Sequence, residues 1–178
     1  MTTSYLSAAE LAAAKVGPNV DGDLLSLYLG DHLTGATGGR TRVADMAKRY
    51  VMKPYGSDLA LIAEQVEREY LTMSDVVEAL GFGKRPVKRA LAWVGERVGS
   101  LKPNGRLVRT SPMTPVLELD LVRAAVNGKG AGWEVLEHYA GDLGLPSEPF
   151  ARLATQSQEQ AKLLARAHAI ETAKAFRR

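Results

Sequence analysis

Apolar residues recur at helical spacing over four long stretches of this chain, two before and two after a basic connection of roughly thirty residues from Gly83 to Met113. In the first stretch, about Asp23 to Val51, one face at about 100° per residue carries Leu25, Tyr28, Leu29, His32, Ala36, Gly39, Val43, Met46, Ala47 and Tyr50. Asp21 or Asp23 can cap its start, and Pro54 closes its end. A second helix, opening at Ser57 or Asp58, aligns Leu59, Ile62, Ala63, Val66, Tyr70, Met73, Val77 and Leu80 and stops near Gly81, Phe82 and Gly83. The joint between the two is short, which predicts an antiparallel hairpin.

The third helix has Ser111 or Thr114 as N-cap and Pro115 in its first turn. Its main stripe reads Leu117, Leu121, Ala124, Ala125, Gly128, Gly132, Val135, Leu136 and Tyr139. A second stripe of Leu119, Val122, Val126 and Trp133 lies well round the wheel, so something must cover it: the connection or another subunit. After a turn from Gly141 to Pro149, a last helix runs to about Phe176 with Phe150, Leu153, Ala154, Ser157, Ala161, Leu164, Ala165, His168, Thr172 and Ala175 inward. Residues 1–20 read as an N-terminal extension and 21–178 as one helical bundle. The connection, about 83–113, holds a predicted short helix from Pro86 to about Val98. It is long enough to cross a bundle roughly 40 Å tall, because extended chain gains about 3.3 Å per residue. One long crossover between two helix hairpins is the ferritin-like arrangement.

Composition narrows the field. The chain is 46% hydrophobic and contains no cysteine, which removes disulfides, thiolate nucleophiles and cysteine-bound zinc together. No basic segment followed by an apolar run opens the sequence, and no uncharged stretch approaches the roughly 18 residues that span a bilayer, so a soluble cytoplasmic protein is expected. The net charge is +3, but residues 84–109 hold eight Lys or Arg against Glu96 and alone carry +7, which leaves the rest at −4. The basicity belongs to the connection.

The stretches YLGDHL, AEQVE, AWVGERVGSLKPNGRLVRTSPMTPVLELDLV and GKGAGW resemble a group of uncharacterised bacterial ferritin-like proteins of actinobacterial type. The resemblance spans most of residues 22–178. It implies an all-α, ferritin-like four-helix bundle and no particular activity. Better understood ferritin-like proteins hold two iron or manganese ions with Glu residues and Glu-x-x-His pairs projecting into the bundle centre. This sequence departs from that pattern. Its nearest matches are Glu64-x-x-Glu67, with Val66 facing inward between them, Glu118 on the third helix, and the reversed His168-x-x-Glu171.

An iron or manganese site would have to be drawn from Asp31, His32, Glu64, Glu67, Glu118 and His168. With a full crossover His32 and His168 differ in level by roughly 13 Å, so each reads either as a core histidine or as a ligand in a separate site. Gly30, Gly35, Gly38 and Gly39 on the first helix and Gly128, Gly130 and Gly132 on the third each cost about 1 kcal/mol against alanine. Close helix packing or a local kink would explain them, as would room for a small ligand between helices. Lys88, Arg89 and Arg97 belong either to a solvated brace over the bundle or to a surface for anions. Trp93 alone is no stacking platform, so nucleic acid is not the expected partner. Three functions follow: a non-enzymatic binding or homo-oligomeric scaffold with a degenerate metal site, an iron- or manganese-binding oxidoreductase or storage protein, and an anion-binding module.

Overall fold

Asp21 starts the first long helix, its carboxylate accepting from the Leu24 N–H, as its short acidic side chain beside an apolar run requires. The computed structural model describes residues 4–83 and 111–177 and, among them, five α-helices and no strand. These are α1 (Ala8–Ala12), α2 (Gly22–Arg49), α3 (Gly56–Ala79), α4 (Met113–Tyr139) and α5 (Glu148–Ala175), with a single 3₁₀ turn at Gly141–Leu143. None is long and apolar enough to cross a membrane. The four long helices match the four apolar stretches to within a few residues. The predicted crossover helix lies outside the described residues.

Two apolar clusters give the helix directions. One joins the start of α2 (Leu25, Leu29), the end of α3 (Met73, Val76, Val77, Leu80), the end of α4 (Trp133, Leu136) and the start of α5 (Phe150, Leu153). The other joins the end of α2 (Val43, Met46, Tyr50), the start of α3 (Leu59, Ile62, Val66), the start of α4 (Leu119, Val122, Val126) and the end of α5 (Leu164, Ala167). Hence α2 and α3 are antiparallel, as are α4 and α5, while α2 and α5 run the same way. The chain leaves α3 at the first end and re-enters α4 at the second. Each fully buried leucine or phenylalanine in these clusters contributes about 1.5–3 kcal/mol by leaving water.

The face of α4 differs from the expected one. Leu119, Val122, Val126 and Trp133 form the core, whereas Leu117 and Leu121 are 50% and 43% exposed and Ala124, Ala125 and Gly128 are exposed as well. Both stripes are apolar. The one with the β-branched and indole side chains fills the space between α2, α3 and α5, and the expected one is left outside from Leu117 to Gly128 but is buried further on at Gly132 and Leu136. The covering expected for Leu119, Val122 and Val126 therefore comes from the chain's own bundle.

Residues 4–20 lie on the first end. Leu6 is part of its core, and Lys15 and Gly17 donate backbone hydrogen bonds to Leu143 and Asp142 at 2.9 and 2.8 Å. That contact explains Gly144, which adopts φ +64° and whose place a Cβ would fill 2.5 Å from the Ala13 carbonyl.

Candidate ligand-binding cleft

Halfway between the two apolar clusters the interior turns polar. Glu69 of α3, 1% exposed at its side chain, accepts from the Lys129 ammonium of α4, itself 15% exposed. Gln156 and Gln160 of α5 donate to the other Glu69 oxygen at 2.7 and 3.0 Å. Gln160 also accepts from Lys129 at 2.6 Å and donates to Gln65 at 2.9 Å. The carboxylate is thus enclosed by one ammonium and two amides from two helices. Burial lowers the Lys129 pKa, and the Glu69 charge opposes that shift. The hydroxyls of the same layer, Thr34, Thr72 and Ser157, are satisfied by carbonyls one turn back on their own helices.

Beside this layer a cleft of about 470 Å³ opens between α2 and α4, with α3 behind it. Helix α2 contributes Asp31, His32, Gly35, Ala36, Gly39 and Val43. From α3 come Val66, Glu69, Tyr70 and Met73, and from α4 Val122, Ala125, Val126, Gly128, Lys129 and Trp133. The size is that of small-molecule sites, and the walls are almost wholly apolar.

The glycines divide into two kinds. Gly130 and Gly132 are packing glycines: a Cβ would lie 3.3 Å from Ser157 Cβ at the first and 3.0 Å from His32 Nδ1 at the second. At Gly35, Gly38, Gly39 and Gly128 a Cβ would meet nothing within 4 Å. Close packing, one of the three explanations offered by the sequence, does not hold for these four. Three of them line the cleft, where the missing side chains leave space.

His32 sits half-buried in the cleft wall, its ring edge-on to Tyr28 at 4.5 Å between centroids. Burial lowers its pKa, offset in part by Asp31, so the imidazole is neutral at neutral pH. Asp31 is exposed at the cleft margin. Trp133 is 1% exposed and stacks on Phe150, and its indole N–H has no acceptor.

The six residues considered for a metal do not come together. Asp31 and His32 flank the cleft, and Glu64 is exposed on α3. Glu67 pairs with Arg40 at 3.0 Å. Glu118 is buried near the second end, held by Arg49 and the Tyr50 hydroxyl at 2.6 Å each and by Arg42 at 3.2 Å. Burial pushes its carboxyl up, but the hydrogen bonds from Arg49 and Tyr50 outweigh this and hold it below the usual range. Burial, and after it the same Glu118 contact, push the Tyr50 phenol up to about 12. His168 meets Asp120 at 3.0 Å. Among the described residues no three His, Asp or Glu side chains could share an ion. The central donor set does not fit iron or manganese either, because its one carboxylate is already neutralised by an ammonium and saturated by amides. Lys88, Arg89 and Arg97 lie outside the described residues.

Sequence reasoning missed Lys129. Its signal was the spacing Val122, Val126, Lys129, Trp133, which puts a lysine on the stripe that became core. No protein-family model matches this sequence, and comparison with curated proteins and with solved structures gives no match.

Proposed function

We propose that this chain is a non-enzymatic binding protein built on a ferritin-like bundle, in which the Lys129–Glu69 network occupies the position of a metal centre and a small apolar molecule is taken up beside it. The order and directions of α2 to α5 support the ferritin-like reading, since α3 finishes at one end of the bundle and α4 begins at the other. The observation that carries the binding reading is the cleft of about 470 Å³ whose walls include three glycines with open space where side chains would stand. A helix gives up about 1 kcal/mol at each such glycine. Tight packing does not repay that cost here, whereas accommodation of a ligand does.

The test is titration with N-phenyl-1-naphthylamine, a neutral dye that brightens in apolar sites, against the wild type and a Gly39→Leu/Gly128→Leu variant. One saturable site is expected in the wild type and none in the variant, with the variant still cooperatively folded. Equal binding by both proteins, or none by either, would overturn the reading.

A further inference from the structure

The charges around the cleft restrict its ligand further, and we infer that it selects neutral apolar molecules and discriminates against anionic amphiphiles. This rests on the binding reading above and adds the class of head group.

Among the described residues Lys129 is the one cationic side chain in the cleft wall, and it is already engaged. Its ammonium donates to Glu69 and to Gln160, and both Glu69 oxygens accept bonds from this network. An anionic head entering there would compete with a carboxylate that is 1% exposed and held from three directions. Among the described residues the remaining formal charge is Asp31, so Asp31 and Glu69 against Lys129 leave this part of the wall one charge negative. In a cleft with apolar walls that field is screened less than at an open surface, and it repels a carboxylate or phosphate.

What the walls do offer is the half-buried His32 imidazole, a donor or an acceptor according to its tautomer. A hydroxyl, ether or ketone oxygen on an otherwise apolar body matches this wall, and a formal negative charge does not.

The experiment is displacement of bound N-phenyl-1-naphthylamine by three ten-carbon probes that differ only in the head: decan-1-ol, decanoate and decyltrimethylammonium. Decan-1-ol is expected to displace the dye at a concentration at least about tenfold below that of decanoate, a difference of about 1.4 kcal/mol. Charge reversal by Asp31→Lys is expected to narrow the gap. Decanoate matching or exceeding decan-1-ol, or a gap unchanged by Asp31→Lys, would overturn the selectivity while leaving the cleft as a binding site. Absence of dye binding in the wild type would instead remove the binding reading itself, and the selectivity with it.

Discussion

Replacing Lys129 by methionine removes the ammonium and leaves Glu69 charged or newly protonated in the bundle centre, with only the Gln156 and Gln160 amides around it. Because Glu69 is 1% exposed and Lys129 15%, water cannot take over the lost contact without opening the core. Loss of one partner of such a buried pair costs about 3–5 kcal/mol. For a chain of this size, at roughly 2–4 °C per kcal/mol, Tm should fall by about 6–20 °C. Glu69→Leu should cost a similar amount, since it leaves the ammonium without its counter-charge and with only the Gln160 amide oxygen as acceptor. The double variant Glu69→Leu/Lys129→Met removes both charges. Gln160 keeps Gln65 and Gln156 keeps Tyr5, so the remaining penalty is that of partly unsatisfied amides, about 1–3 kcal/mol. Urea unfolding of the wild type, both single variants and the double variant at pH 7 measures the cycle. The double variant should be more stable than either single one. Single variants that each lose less than about 1 kcal/mol, with additive losses in the double variant, would refute the reasoning, since that is how a hydrated surface pair behaves.

The packing of α4 makes a paired test: Leu119→Ala should cost about 2–5 kcal/mol by opening a cavity, and Leu117→Ala less than about 0.5 kcal/mol. Comparison of their urea midpoints would show a reversed helix face at once. Gly38→Ala, with open space around it, should raise stability by about 0.5–1 kcal/mol in a thermal scan, whereas Gly56→Ala should lower it because the Cβ would meet the Val51 carbonyl at 2.4 Å. Acid should destabilise the fold in two windows. His32 has its folded pKa lowered from 6.5, so the unfolded chain binds the proton first and stability falls as pH drops from 6.5 towards the folded value. Glu118 and Glu171 have folded pKa values lowered from 4.5, so their stabilisation is present above 4.5 and is lost as pH falls through the folded values. His32→Gln should flatten the first window and Glu118→Gln the second in chemical unfolding followed across pH, and unchanged profiles would contradict the assignment.

Much of this architecture was legible in the hydrophobic pattern. On α2 and α3 every residue of the expected stripe is buried or half-buried, because polar side chains bound each stripe clearly. Helix α4 was ambiguous, since Leu117 and Leu121 compete with Leu119, Val122 and Val126, and periodicity alone does not rank two apolar faces. Side-chain bulk does: valines and tryptophan fill a four-helix interior better than alanine and glycine. Choosing the other face also hid Lys129. The cleft was only half legible. The glycines raised the question, but whether a missing Cβ faces a neighbour, as at Gly132, or empty space, as at Gly39, depends on the separation of α2 and α4, which composition does not encode.

The most direct test of the cleft is methyl NMR of the protein bound to N-phenyl-1-naphthylamine, with valine and methionine methyls labelled. Contacts from the dye to Val43, Val66, Val122, Val126 and Met73, absent in the Gly39→Leu/Gly128→Leu variant, are the expected result. Contacts confined to the exposed methyls of Val51 and Met52, unchanged in that variant, would contradict it.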